Sequence, residues 1–279
     1  MNILFSGNDK VFDGIMMCLL SIIMRSDSPF PLNVYVLTMD ATYLKEEYIA
    51  ISDEKIDYLN TVVKEFNPEH NITKIDVTDI YKKEFLNSPN EQCYCSPYTL
   101  LRLFIDTIDN IPDKILYLDV DLMICKDLRK LYDIDITDYE YAAAGDHYGN
   151  FIISPNYINA GVLLFNMVKC KETGLFDKAR EIIKTKKYLF ADQDAIWHST
   201  TKKMKLPHIF NDQKFLYKDT VIRHFSKRLF YLPYPHTENI KQWHINRMIR
   251  VFGYTCFDDI IYKYIYYKER YSHEQQINA

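Results

Sequence analysis

The run Ile115-Leu116-Tyr117-Leu118, closed by Asp119-Val120-Asp121, restricts the fold more than any other stretch of the sequence. Four consecutive apolar residues suit a strand covered on both faces, the situation inside a parallel sheet. Open sheets of that kind bind ligands beyond the carboxyl ends of their strands, which is where the two aspartates stand. Two neighbouring carboxylates raise each other's pKa, whereas a divalent cation between them keeps both ionised. The pair is therefore a candidate cation site in need of further ligands. Asp-x-Asp also occurs as a solvated turn or a helix N-cap, so the rest of the chain must supply the argument.

Residues 2–5 read as a buried first strand, followed by the turn Ser6-Gly7-Asn8-Asp9 and an apolar helix over 11–24. Asn8 and Asp9 leave a strand's carboxyl end, where they either face the same ligand or cap the helix. A strand over 34–37, a helix over 55–66 and a strand over 72–77 complete a β-α-β-α-β order, which predicts a right-handed, mostly parallel sheet. Residues 84–95 read as a polar loop, and 97–108 as a helix whose Arg102 sits among apolar neighbours and needs a carboxylate or phosphate partner. Tyr141-Ala142-Ala143-Ala144-Gly145 is a strand of small residues ending at Asp146. A strand over 159–166 begins with Asn159, Ala160 and Gly161, and a helix over 172–187 follows. Asp192-Gln193-Asp194 opens a helix through His198, where acids also suit the macrodipole. Residues 220–225 form a strand ending in His224, with Lys227 and Arg228 just beyond.

A chain of 279 residues buries a full core in one main domain, placed at 1–250 with a Tyr-rich helical extension at 251–279 that serves as a docking or oligomer face. The six cysteines form no Cys-x-x-Cys pair and no structural-zinc spacing, so reduced, mostly buried thiols are expected. Gly-x-Gly-x-x-Gly and P-loop patterns are missing, which removes dinucleotide and P-loop readings. Residues 201–250 hold eleven lysines and arginines against Asp212, Asp219 and Glu238. That segment suits phosphates or an anionic membrane surface as well as a plain solvated face, and it carries no nucleic-acid-binding motif. The sequence shows neither a signal peptide nor an apolar run of spanning length, so a cytoplasmic protein is expected, with peripheral contact at the inner membrane face.

Taken together, Tyr117-Leu118-Asp119-Val120-Asp121, Asn159-Ala160-Gly161-Val162-Leu163-Leu164-Phe165-Asn166, Asp192-Gln193-Asp194 and Ile222-Arg223-His224-Phe225 resemble, in family order and over residues 1–225, glycosyltransferase family 8. These are retaining sugar-nucleotide transferases that include glycogenin and bacterial lipopolysaccharide galactosyl- and glucosyltransferases. The resemblance implies an α/β fold of the GT-A, Rossmann-like type with a mixed, mostly parallel central sheet. It implies Asp119, Asp121 and His224 as ligands of Mn²⁺, with Mg²⁺ admitted by the same ligand types, bridging a UDP-sugar diphosphate. Asn8 and Asp9 would lie at the uridine, Arg102 and Val120 in the donor region, and Asn159, Ala160, Asp192 and Gln193 around the donor sugar. Asp146 would stand at the donor–acceptor boundary, with Asp146, Asp192 and Gln193 as the candidate catalytic residues and Lys227 as the phosphate-binding cation. The implied reaction moves a hexose from UDP-glucose or UDP-galactose to a glycan or lipid-linked acceptor.

Two departures from the family pattern stand out. Family members follow the metal histidine with Gly and then Lys-Pro-Trp, whereas 225–230 here read Phe-Ser-Lys-Arg-Leu-Phe, and Asn8 stands where Asp is frequent. A phosphatase-like hydrolase with Asp119 as nucleophile fails on context, since its Asp-x-Asp-x-Thr belongs early in the chain and Met123 fills the Thr place. A glycogenin-like self-glycosylating protein, or one that only binds UDP-sugar, is the alternative that 23 tyrosines keep open.

Overall fold

The computed structural model describes residues 1–27, 30–91 and 96–278. The strands that build the site are β1 Asn2–Ser6, β2 Asn33–Thr38, β3 Asn71–Asp76, β4 Lys114–Leu118, β5 Leu122–Ile124, β6 Tyr141–Gly145, β7 Ile158–Asn166, β8 Lys203–Leu206 and β9 Ile222–His224. Seven of them form one sheet in the order β3-β2-β1-β4-β7-β6-β8. Neighbours β1/β2, β2/β3, β1/β4 and β6/β8 run parallel, while β7 is antiparallel to both β4 and β6. The sheet is thus mixed and mostly parallel, and β5 pairs with β9 outside it.

Strand side chains alternate between faces, so each apolar strand feeds two cores. Ile3, Phe5, Leu116, Leu118, Val162 and Leu164 pack with the helices Phe12–Met24 and Asp53–Lys64. Leu4, Ile115, Tyr117, Leu163 and Phe165 pack on the other side with Thr78–Phe85, the 3₁₀ helix Pro97–Thr107, Leu175–Thr185 and Ala191–Ser199. This two-sided burial is the reason those strands read as apolar runs.

Three sequence expectations change. Helix Thr78–Phe85 occupies part of the stretch between the third strand and the loop, and residues 92–95, including Cys93 and Cys95, lie outside the described residues. The helix expected over 172–187 is two helices, Met167–Thr173 and Leu175–Thr185, because Gly174 at φ +66° takes the left-handed conformation that ends the first. The tyrosine-rich C-terminal helix, Asp258–Asn278, buries Ile260, Ile261, Tyr264 and Tyr267 in the same core as the first helix and turns Tyr262 and Tyr266 to solvent. Arg25 fixes its start by a two-pronged contact to Asp259 at 2.7 and 2.8 Å. Cys18, Cys125, Cys170 and Cys256 are free thiols, and Cys256 is exposed. No helix among the described residues is long and apolar enough to cross a membrane.

Candidate functional site

Strand β4 ends in Leu118, and the loop after it carries Asp119 and Asp121 into β5. The Asp119 N–H donates to Gly161 O at 2.8 Å, which holds the loop against β7. Antiparallel pairing of β5 with β9 sets Leu122 opposite His224, and the Phe225 N–H donates to Asp121 O at 2.8 Å. That pairing, and not sequence proximity, brings the imidazole to the carboxylates. His224 Nε2 lies 3.2 Å from Asp121 Oδ1 and 3.8 Å from Asp119 Oδ2, and ligand atoms of all three residues fall within 4.8 Å of one another. Gly161 makes the room: a Cβ there would stand 2.4 Å from His224 Cε1 and 2.9 Å from Asp119 Oδ2. Two carboxylate oxygens and an imidazole nitrogen converging on one point fit a hard to borderline divalent cation.

Arg102, the arginine that needed a partner, has several. Its guanidinium donates to Asp119 Oδ1 at 3.1 Å, to Thr99 O at 3.0 Å and to Ala160 O, and lies 3.3 Å from Asp192 Oδ2 and 3.9 Å from the Tyr117 ring centre. Burial works against its charge, but Tyr117, Asp192 and Asp119 outweigh it and raise its pKa further. Tyr117 Oη donates to the same Asp119 oxygen at 2.8 Å, which leaves Oδ2 directed at the imidazole. Burial holds the Asp192 carboxyl above the usual range although Arg102 pulls the other way.

The cation that meets Asp121 is Lys241, whose ammonium bonds to Oδ2 and also donates to Phe225 O at 3.2 Å. Burial alone would raise the Asp121 pKa, but Lys241 and His224 together hold it well below the carboxylate range. The next two residues continue the clamp. Gln242 Nε2 donates to Val120 O at 2.7 Å and Leu122 O at 3.3 Å, and the Trp243 ring lies where a Cβ on Gly14 would come within 2.7 Å of it. Lys241 was not among the residues selected from sequence; Lys227 was. In the structure Lys227 O accepts from Lys214 Nζ at 3.0 Å, and Arg228 donates to Lys214 O at 3.2 Å beside the rings of Phe215 and Phe230. The hairpin of β10 (Arg228–Phe230) and β11 (His236–Glu238) is interposed between His224 and Lys241. Lys-x-Trp at 241–243 was the available signal, displaced by that hairpin.

The remaining residues fall into three groups. Asn159 Nδ2 donates to Asp146 Oδ2 at 2.8 Å, and the Ala160 N–H donates to Gln193 Oε1 at 2.9 Å, so Asp146, Asn159, Ala160 and Gln193 adjoin the Asp119, Asp121 and His224 cluster through β7. Asn8 caps the turn after β1 by accepting the Lys10 N–H at 3.2 Å, and Asp9 is engaged by Lys55 and by the Ser52 N–H at 3.3 Å, so both perform the capping and loop-tying role. Asp194 accepts Tyr157 Oη and the Phe190 N–H at 3.0 Å, which commits it to the start of its own helix. Asn211, also not foreseen, contacts both His224 and Asn159.

The sheet order is that of a GT-A fold, and solved glycosyltransferase structures share it. An active-site mutant of LgtC superposes with a TM-score of 0.60 at 19% identity, over 80% of this chain and 86% of that one. The bifunctional glycosyltransferase WbbM gives 0.64 at 19% identity, over 82% of this chain and 46% of that one. Residues 2–244 match the model of glycosyl transferase family 8, and the chain belongs to that family. A Haemophilus influenzae protein named as a glycosyltransferase is 29% identical over 64% of this chain and 52% of its own length. Glycosyltransferase GlyA of Streptococcus pneumoniae is 35% identical over 45% of this chain and 18% of its own, so the chain spans about half or less of these relatives.

Proposed function

We propose that the protein is a metal-dependent retaining hexosyltransferase that moves glucose or galactose from UDP-glucose or UDP-galactose to a glycan or lipid-linked acceptor. The observation that carries this reading is the convergence of Asp119, Asp121 and His224 beyond β4 in a family 8 chain. Mn²⁺, or Mg²⁺, held by those three would supply positive charge to the departing diphosphate. Lys241 is the protein's own cation at that place, and it takes over the phosphate role that the sequence pattern gave to Lys227. The backbone around Val120, with Asn8 and Asp9 in the neighbouring loop, borders the nucleotide side. Arg102 keeps the acids of the sugar side, Asp119 and Asp192, fixed against each other. Gln193, its carbonyl held by the Ala160 N–H, lines the sugar pocket with Asn159 and Asp146. A covalent route would use Gln193 or Asp194 as nucleophile; an amide is a poor one and Asp194 accepts from Tyr157 Oη, so front-face departure of UDP through an oxocarbenium-like sugar is the chemistry that fits.

The acceptor side begins at Asp146, which accepts the N–H groups of Tyr148 and Gly149 at 3.1 and 2.7 Å. The short helix that starts there carries Phe151 and Ile152, 88% and 79% exposed. Apolar tips with Lys214 over the neighbouring Tyr148 ring and Lys205 at Pro155 O suit an acceptor at an anionic lipid surface, with the catalytic unit at 1–250, the extension at 251–279 and a peripheral cytoplasmic location as parts of the same reading. Thermal unfolding with UDP, Mn²⁺, both, and UDP plus EDTA tests the central claim: a rise that requires both components supports it, and no rise in any condition overturns it. Asp121→Ala and His224→Ala should each abolish that rise. Intact-mass growth on incubation with UDP-glucose would instead indicate self-glycosylation.

A further inference from the structure

Buried amides connect the two ends of the site. Asn159 Nδ2 donates to Asp146 Oδ2 at 2.8 Å, Asn211 Nδ2 to Asn159 Oδ1 at 2.9 Å, and Asn211 Oδ1 stands 2.9 Å from His224 Nδ1. Exposures of 2% for Asn211 and 3% for His224 keep water from substituting for the two inner links, and the outer one to Asp146 is partly buried. The polarity of the chain is determined from both sides. A carboxylate only accepts, so Asn159 turns its NH₂ to Asp146, and the Gly161 N–H donating to Asn159 Oδ1 at 3.1 Å independently demands the same orientation. Asn159 Oδ1 then takes the NH₂ of Asn211, whose carbonyl oxygen faces Nδ1 and requires a proton there. With a cation held where Asp119 and Asp121 converge, Nε2 would be the nitrogen left to present its lone pair to it.

We propose that Asn211 is a positioning residue that couples the metal ligand His224 to the sugar-side pair Asn159 and Asp146, so that metal affinity and recognition of the donor hexose depend on one amide. The inference rests on the proposed function. It separates two substitutions. Asn211→Leu removes both links, whereas Asn211→Asp keeps an acceptor for Nδ1–H but offers no donor to Asn159 and repels its carbonyl oxygen.

The test is calorimetry with Mn²⁺ at saturating UDP, followed by UDP, UDP-glucose and UDP-galactose at saturating Mn²⁺, with circular dichroism to verify folding. Asn211→Leu should weaken Mn²⁺ about 10- to 100-fold, the usual cost of losing a partner behind a metal ligand. Asn211→Asp should bind Mn²⁺ near the wild-type level yet lose the preference for the tighter UDP-hexose over UDP. If Asn211→Leu fails to fold, Asn211→Asp decides alone: loss of the hexose preference with Mn²⁺ affinity retained supports the coupling, and any other pattern overturns it. Wild-type protein that binds no Mn²⁺ overturns the metal reading and the coupling with it, whereas wild-type binding with both variants unchanged overturns the coupling alone.

Discussion

At the scale of single residues, the charges of the site are arranged so that each acid has an assigned partner. Arg102 serves Asp119 and Asp192, and Lys241 serves Asp121. We expect Lys241→Ala to lower kcat about 10²-fold, the size usual for removing one group that stabilises developing charge, while Lys227→Ala leaves it near wild type. Steady-state kinetics with UDP-hexose would check both. Away from the site, the bidentate contact of Arg129 holds Asp127 at about 2, below the usual 3.8, with N–H groups of Arg129 and Asp27 assisting. The folded pKa is depressed, so the contribution is complete above the unfolded pKa and disappears as pH falls through the folded one. Discounted for solvent around Arg129, it is about 1 kcal/mol at pH 7. Denaturant unfolding should find Asp127→Asn weaker by that amount at pH 7, with the difference shrinking as pH falls from the unfolded pKa through about 2.

At the scale of elements, the C-terminal helix is held by the core and not merely appended to it. Four of its side chains are buried, each contributing about 1.5–3 kcal/mol against total stabilities of about 5–15 kcal/mol for a domain. A chain ending at residue 257 should therefore lose its cooperative thermal transition, and an unchanged transition would show the helix to be dispensable. Elements with a strong local signal were legible in the sequence: β1, β4 and β7 are apolar runs because both faces are covered, and Asp119, Asp121 and His224 stand at strand ends, where open sheets place ligands. What escaped depended on non-local geometry. The hairpin between β9 and Lys241 displaced the Lys-x-Trp signal, and Asn211 lies in no pattern at all, since its importance comes from what two separate strands set beside it. The break at Gly174 was local but ambiguous, because a glycine inside a helical pattern is often tolerated.

At the scale of the molecule, the basic segment over 201–250 and the exposed tyrosines and leucine of the hairpin tip belong to the same stretch of chain. Tyr231, Leu232 and Tyr234 are 69%, 83% and 67% exposed. Replacing all three with serine should reduce co-sedimentation with vesicles containing phosphatidylglycerol while leaving the Mn²⁺- and UDP-dependent thermal rise unchanged. Binding that persists would separate the hairpin tip from any membrane role.

The pairing of β5 with β9 also bears on how the protein is made. It joins residues roughly a hundred positions apart, so a ribosome must deliver most of the polypeptide before the imidazole can reach the aspartates. A nascent chain that has released β1 to β5 already owns both acids and the arginine that steadies one of them, yet it lacks the histidine of the proposed cation site. On the proposed function, competence to bind the donor therefore arrives late, and UDP-dependent protection from proteolysis would report that β9 has closed on β5.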